Sequence, residues 1–145
     1  SSGNLKITCL SPEDQNMESN EGSQALYMEI EECSILFTGD IEGAGEEEMI
    51  SLCEDTGKQC HILKVAHHGS KNSTPDRLLD VLQPLAAVIS CGKENMYGHP
   101  HKELIDRLND RKIEIYETKE QGAVSAIWDG EKIRMTFQHE KSMIE

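Results

Sequence analysis

One aspartate and four histidines follow short apolar runs in this sequence, and their side chains are the types that hold divalent metals. Asp40 ends Thr38-Gly-Asp40 after Ile35-Leu-Phe37. His67 and His68 open His-His-Gly-Ser70 after the run ending at Ala66. His99 and His101 flank Pro100 in Asn95-Met-Tyr-Gly-His-Pro-His101, after Val88-Ile-Ser90. Carboxylate and imidazole are first-choice ligands for zinc, manganese or iron. Taken singly, each cluster has a plainer use as a turn carboxylate, a packed ring or a helix cap. Three such clusters after three successive strands point to one site, because crossover sheets gather ligands at the carboxyl ends of their strands.

Other motifs carry less. Gly43-Ala-Gly45 lacks the third glycine of a dinucleotide loop, and Glu46-Glu-Glu48 behind it would repel a pyrophosphate. Ser70 lacks the second glycine of a nucleophile elbow. His61 and His139 read as strand or surface residues without a partner. The five cysteines, Cys9, Cys33, Cys53, Cys60 and Cys91, are odd in number and form no C-x-x-C pair. They read as small apolar side chains in a reducing compartment.

The elements that must position these clusters follow from hydrophobic period and turn residues. Strands are expected over 4–10, 25–31, 34–38, 61–66, 85–90, 113–118, 123–128 and 132–138, the last two joined by a hairpin at Asp129-Gly130. Residues 11–22 read as a polar loop. Helices are expected from the acidic run at Glu46 to Gly57, from a Ser73 or Thr74 cap to Leu82, and from Pro100 through Leu104, Ile105 and Leu108. The order β-β-β-α-β-α-β-α-β-β-β describes a single α/β (or α+β) unit over residues 1–145, with a mixed sheet and helices on one face.

The chain has 145 residues, with 14 Lys plus Arg against 27 Asp plus Glu and a net charge of -13. That balance disfavours a nonspecific nucleic-acid clamp but leaves room for a site in which metal ions supply the positive charge. Lys71 and Lys93 lie near two of the clusters and would favour an anionic substrate locally. No run approaches the roughly 18 apolar residues of a membrane span.

At these motifs the sequence resembles the metallo-β-lactamase superfamily, and within it the hydrolase domains of ComEC-type DNA-internalisation competence proteins. The resemblance rests on Ile35-Leu-Phe-Thr-Gly-Asp-Ile-Glu42, Leu63-Lys-Val-Ala-His-His-Gly-Ser-Lys-Asn-Ser73 and Val88-Ile-Ser-Cys-Gly-Lys-Glu-Asn-Met-Tyr-Gly-His-Pro-His101. It extends from about Leu5 to Phe137. It implies an αββα sandwich, with two metals at the shared edge: zinc, with manganese an alternative. Asp40 would bridge the metals and His99 would ligate one. His67, His68 and Ser70 would bind or protonate substrate, with Lys71, Asn95 and Tyr97 as substrate contacts. If the strand stays regular to its end, at most one of His67 and His68 faces the metals, and His68 is the expected one.

The superfamily's His-x-His-x-Asp-His motif is absent, and no histidine precedes His61. The chain is therefore expected to be the C-terminal αβ half of the fold, with an incomplete metal site and no activity of its own. Its partner would be the missing N-terminal half or a second copy, docked on the apolar strand faces of 25–30 and 35–37. The implied substrate is a phosphodiester such as single-stranded DNA, in the bacterial cytoplasm or beside a membrane channel. A non-catalytic interaction module, or a hydrolase of esters, lactams or thioesters, would share the same residues.

Overall fold

The computed structural model describes residues 4–11 and 19–138. Six strands form one mixed sheet in chain order: β1 (Leu5–Ser11), β2 (Ala25–Ile30), β3 (Cys33–Phe37), β4 (Ile62–Lys64), β5 (Ala86–Ile89) and β6 (Glu114–Glu117). The β1–β2 and β2–β3 pairs are antiparallel, whereas β3 through β6 run parallel. Three helices make the parallel crossovers: α1 (Gly43–Thr56), α2 (Asp76–Leu82) and α3 (Lys102–Asp110). Sequentially adjacent parallel strands with right-handed crossovers put every helix on the same face. The core agrees, since Tyr27, Leu36, Leu63, Ala87 and Ile89 of the sheet pack with Met49, Ile50, Leu79, Leu82, Leu104 and Leu108 of the helices. Each fully buried Leu or Ile there contributes on the order of 1.5–3 kcal/mol.

The sequence pattern locates these elements well, with local differences. Gly57 ends α1 in the left-handed region at φ 62°, as expected of a helix-stopping glycine. The helix begins at Gly43, three residues before the acidic run. Gly43 and Gly45 serve packing there: a Cβ on Gly45 would lie 2.1 Å from the Glu21 carbonyl oxygen of a 3-10 turn over Ser19–Gly22. Neither Ser73 nor Thr74 caps α2; Pro75 is its N-cap and no side chain caps it. The third helix starts at Lys102 with His101 as N-cap, so Pro100 lies before it. His61 has a partner after all, its Nδ1 accepting the Ser34 N–H at 3.1 Å. His139 and much of the 11–22 loop lie outside the described residues.

The face away from the helices is apolar. Register aligns Ile7, Met28, Ile35, Ile62 and Ala86 across it. A hairpin of β7 (Val124–Trp128) and β8 (Ile133–Phe137) lies over one part. Ile133 and Met135 line a cavity of about 400 Å³ with Ile62 and Ala86, and the Trp128 indole N–H donates to Glu31 Oε2 at 2.8 Å. Beyond the hairpin, Leu5 and Ile7 remain more than half exposed and Phe37 is 38% exposed. Ala25 and Tyr27, by contrast, turn to the helical core. The five cysteines are free thiols.

Candidate functional site

Three loops leave the carboxyl ends of β3, β4 and β5, and because those strands are parallel neighbours the loops meet at one sheet edge. Hydrogen bonds to backbone carbonyls stitch them together. The Thr38 hydroxyl donates to the Lys64 carbonyl at 2.6 Å. The His67 N–H donates to Gly39 O at 3.1 Å, and the Val65 N–H to Val88 O at 2.9 Å. A one-residue change in loop length would therefore shift all three segments against one another.

The strand does not stay regular to the histidines. The β4 strand ends at Lys64, and residues Ala66–Gly69 form a 3-10 turn in which His67 (φ 47°, ψ 47°) and His68 (φ 53°, ψ 21°) are both left-handed. The alternation argument that admitted one of the two rings thus has no strand to act on. Non-glycine residues in this region cost of order 1–3 kcal/mol each and persist where the surroundings over-determine them. The turn also requires Gly69, at φ 89°: a Cβ there would stand 2.6 Å from Pro100 Cβ and 3.2 Å from Ile89 Cγ2. Gly69→Ala is expected to destabilise the fold by about 2–4 kcal/mol, read as a lowered urea midpoint with unchanged slope.

His68 faces Asp40. Its Nε2 lies 3.8 Å from Asp40 Oδ1, and both side chains are about half exposed. Its Nδ1 lies 2.6 Å from the Ser90 carbonyl oxygen. A carbonyl only accepts, so Nδ1 carries a proton; with a metal ion in the gap, the Nε2 lone pair would be the one directed toward Asp40. Metal-binding histidines are commonly oriented this way. His67 turns elsewhere: its Nδ1 is 3.3 Å from Glu42 Oε2, and the other Glu42 oxygen accepts from Asn20 Nδ2 at 3.2 Å.

His99 is buried among aromatic rings. It stands 5.7 Å from His67 and 4.7 Å from His101, both edge-on, and 5.8 Å from Tyr97, stacked at 25°. Burial first, and then the charges of His101, His67 and His68, push its pKa below the ordinary histidine value. Lys64, beneath Asp40, is lowered by burial, with Asp40 pulling it back up.

The donor set fits one side of a metal ion. Asp40 Oδ1 and His68 Nε2 are the right atoms for a divalent cation, and a tetrahedral ion needs two more. Among the described residues, no group of three or more His, Cys, Asp or Glu side chains could hold a metal.

The profile of the Metallo-beta-lactamase superfamily matches residues 15–93. The chain belongs to this superfamily. Among curated relatives, it is 38% identical over 121 residues to "ComE operon protein 3" of Bacillus subtilis, covering 83% of this chain and 15% of that protein. It is 36% identical over 91 residues to "Recombination protein 2" of Haemophilus influenzae, covering 63% of this chain and 11% of that protein. "Competence protein ComA" of Neisseria gonorrhoeae is 30% identical over 112 residues, 77% of this chain and 16% of that protein. The chain thus spans about a seventh of the length of these relatives. Superfamily membership makes it part of a hydrolase fold.

Within this metallo-β-lactamase frame, the structure brings Asp40, His67, His68 and His99 to one edge and gives other candidates different surroundings. Ser70 is buried, and its Oγ accepts the Asn72 N–H at 3.2 Å. Lys71 is exposed with Nζ 4.0 Å from Glu103 Oε1. Asn95 braces its own loop: its Oδ1 accepts the His99 N–H at 2.6 Å while Nδ2 donates to Gly92 O and His99 O. Tyr97 is 72% exposed beside His99. His101 is structural, its N–H donating to Gly69 O and its Nδ1 accepting the Lys71 N–H. Glu42, Glu46 and Arg107 escaped the sequence reading. Glu42 was legible in principle, two residues after Asp40; the other two act across long sequence separations.

Proposed function

We propose that this chain is the C-terminal αβ half of a metal-dependent phosphodiesterase, completed by an upstream half that supplies the remaining metal ligands. The observation that carries the reading is the Asp40–His68 pair at the sheet edge, with the His68 tautomer set by the Ser90 carbonyl. The reading departs from the resemblance in one respect: His68 stands beside Asp40 as a ligand, in addition to His99. A divalent ion held there, zinc or manganese, would supply Lewis-acid activation of a phosphate oxygen. Asp40 and His68 would hold it. His67, tethered to Glu42, keeps its other ring nitrogen for substrate. His99, depressed toward its neutral form, is suited to ligate or to accept a proton.

The open apolar sheet face, with Leu5, Ile7 and Phe37 exposed, is the surface on which the upstream half would pack. The relatives' printed names concern competence and recombination; we take single-stranded DNA as the substrate and the DNA-uptake machinery of a bacterial membrane as the setting. No described helix is long and apolar enough to cross a membrane.

The test is cleavage of a labelled single-stranded oligonucleotide by the chain alone and by the complete protein, each stripped and reloaded with zinc or manganese. Cleavage by the complete protein and none by the chain is the expected result. Cleavage by the isolated chain at an enzymatic rate would overturn the half-site reading. An inactive complete protein, or one active on esters, lactams or thioesters instead, would overturn the phosphodiester reading.

A further inference from the structure

Two left-handed histidines in a row need a brace, and the structure contains one on the C-terminal side of the turn. The Ser70–Thr74 loop leaves the turn and enters α2. Inside it, the Ser73 hydroxyl lies 3.3 Å from both Ala66 O and Ser70 O, and the Ser70 N–H donates to His67 O at 3.0 Å. The far end, Thr74, is itself left-handed at φ 55°, an unfavourable conformation for a β-branched residue, and its buried Oγ1 has no partner among the described residues. Two side chains hold this end from different helices. Glu46 of α1, only 4% exposed, accepts the Thr74 N–H at 2.6 Å. Arg107 of α3 donates to three carbonyls of the loop: Thr74 O and Lys71 O at 2.7 Å, and Ser73 O at 3.3 Å.

We propose that Glu46 and Arg107 are positioning residues that hold the His67–His68 turn in its left-handed geometry by clamping the Ser70–Thr74 loop between α1 and α3. Neither touches the site. Each acts through a loop whose other end is anchored by the His67 N–H on Gly39 O and the Gly69 carbonyl under the His101 N–H. The planar Arg fork spans several carbonyls where a lysine is a point charge. The Glu46 oxygen satisfies a buried N–H that would otherwise be orphaned. The sense of the clamp for function rests on the reading of His67 and His68 as site residues.

Nuclear magnetic resonance of the 145-residue chain separates the two ideas. A strong intraresidue amide-to-Hα cross-peak at His67 and His68 reports positive φ. Manganese-induced line broadening at His68 reports metal affinity. The wild type and Glu46→Gln, which keeps an oxygen acceptor, are expected to show both signals. Glu46→Leu and Arg107→Met are expected to lose the positive-φ signature and to bind manganese about tenfold more weakly, the loss typical of removing a ligand's support. If either does not fold, Arg107→Lys, which retains charge but not the fork, is expected to show the same losses in smaller measure. Folded variants, Arg107→Lys included, that keep positive φ at both histidines and wild-type manganese broadening overturn the clamp. His68→Ala is the control for the site itself. Should it leave manganese broadening elsewhere at the edge unchanged, the site reading fails while the φ readout still judges the clamp.

Discussion

His68→Ala and Asp40→Asn, each made in the complete protein, are expected to lower metal affinity and hydrolysis by more than about a hundredfold. Removing only the outer partner of a metal ligand costs roughly 10–100-fold, so removing the ligand itself should exceed that range. The two changes should be similar in size and non-additive, because Asp40 Oδ1 and His68 Nε2 face the same 3.8 Å gap. Their stability cost should be small, since both side chains are about half exposed and neither belongs to the core. His101→Ala provides the contrast. It removes the Nδ1 acceptor of the Lys71 N–H and should act through stability more than through metal affinity. Calorimetric titration with manganese, alongside urea unfolding, reads both quantities. Wild-type metal affinity in His68→Ala would refute the proposed role of the pair.

Glu46→Gln is expected to make the chain more stable, increasingly so as pH rises. Burial is the main cause that raises the Glu46 carboxyl from 4.5 to about 7; Glu47 and Glu42 push the same way, while the Thr74 N–H and Arg107 oppose it. The folded state therefore holds a proton that the unfolded state releases between those two pH values. The stability associated with the protonated form is complete below about 4.5 and is lost as pH climbs through about 7. Glutamine carries no such loss and keeps the acceptor for Thr74. Between pH 5.5 and 8 the advantage of the variant should widen by about 2 kcal/mol. Urea midpoints at several pH values read it directly. A gap that stays constant with pH would show that Glu46 titrates normally in the folded chain.

The amino-acid sequence carried most of the architecture, because local signals and the global fold agree. Alternation in Leu5–Cys9, the apolar-rich run at Ala25–Ile30, the continuous run at Ala86–Ile89, the Gly57 stop and the Asp129-Gly130 hairpin each depend on residues within a few positions. The same holds for the three clusters after β3, β4 and β5. Their convergence follows from parallel order, which the alternating strand and helix pattern already implies.

Side-chain direction at the site was a different matter. The strand-alternation argument for His67 and His68 does not apply, because its condition of a regular strand is not met: β4 stops at Lys64 and the chain enters two left-handed residues. That conformation has little local preference behind it. It is imposed by Gly69 against Pro100, by the Ser90 carbonyl on His68 and by Glu46 and Arg107 on the following loop. The helix entries behaved likewise: Thr74 has the composition of a cap, yet its backbone N–H is taken by Glu46, 28 residues away, and its hydroxyl caps nothing. Thus the sequence by itself determined which residues form elements and which strand ends carry imidazole and carboxylate, since period and turn chemistry are short-range. Tertiary structure alone decided that His68 meets Asp40, that His67 meets Glu42, and that a buried carboxylate and an arginine hold the turn between them. Those contacts cross 25 to 36 residues of chain, and they exist because packing α1 and α3 on one face of the sheet outweighs the strain of the loop they enclose.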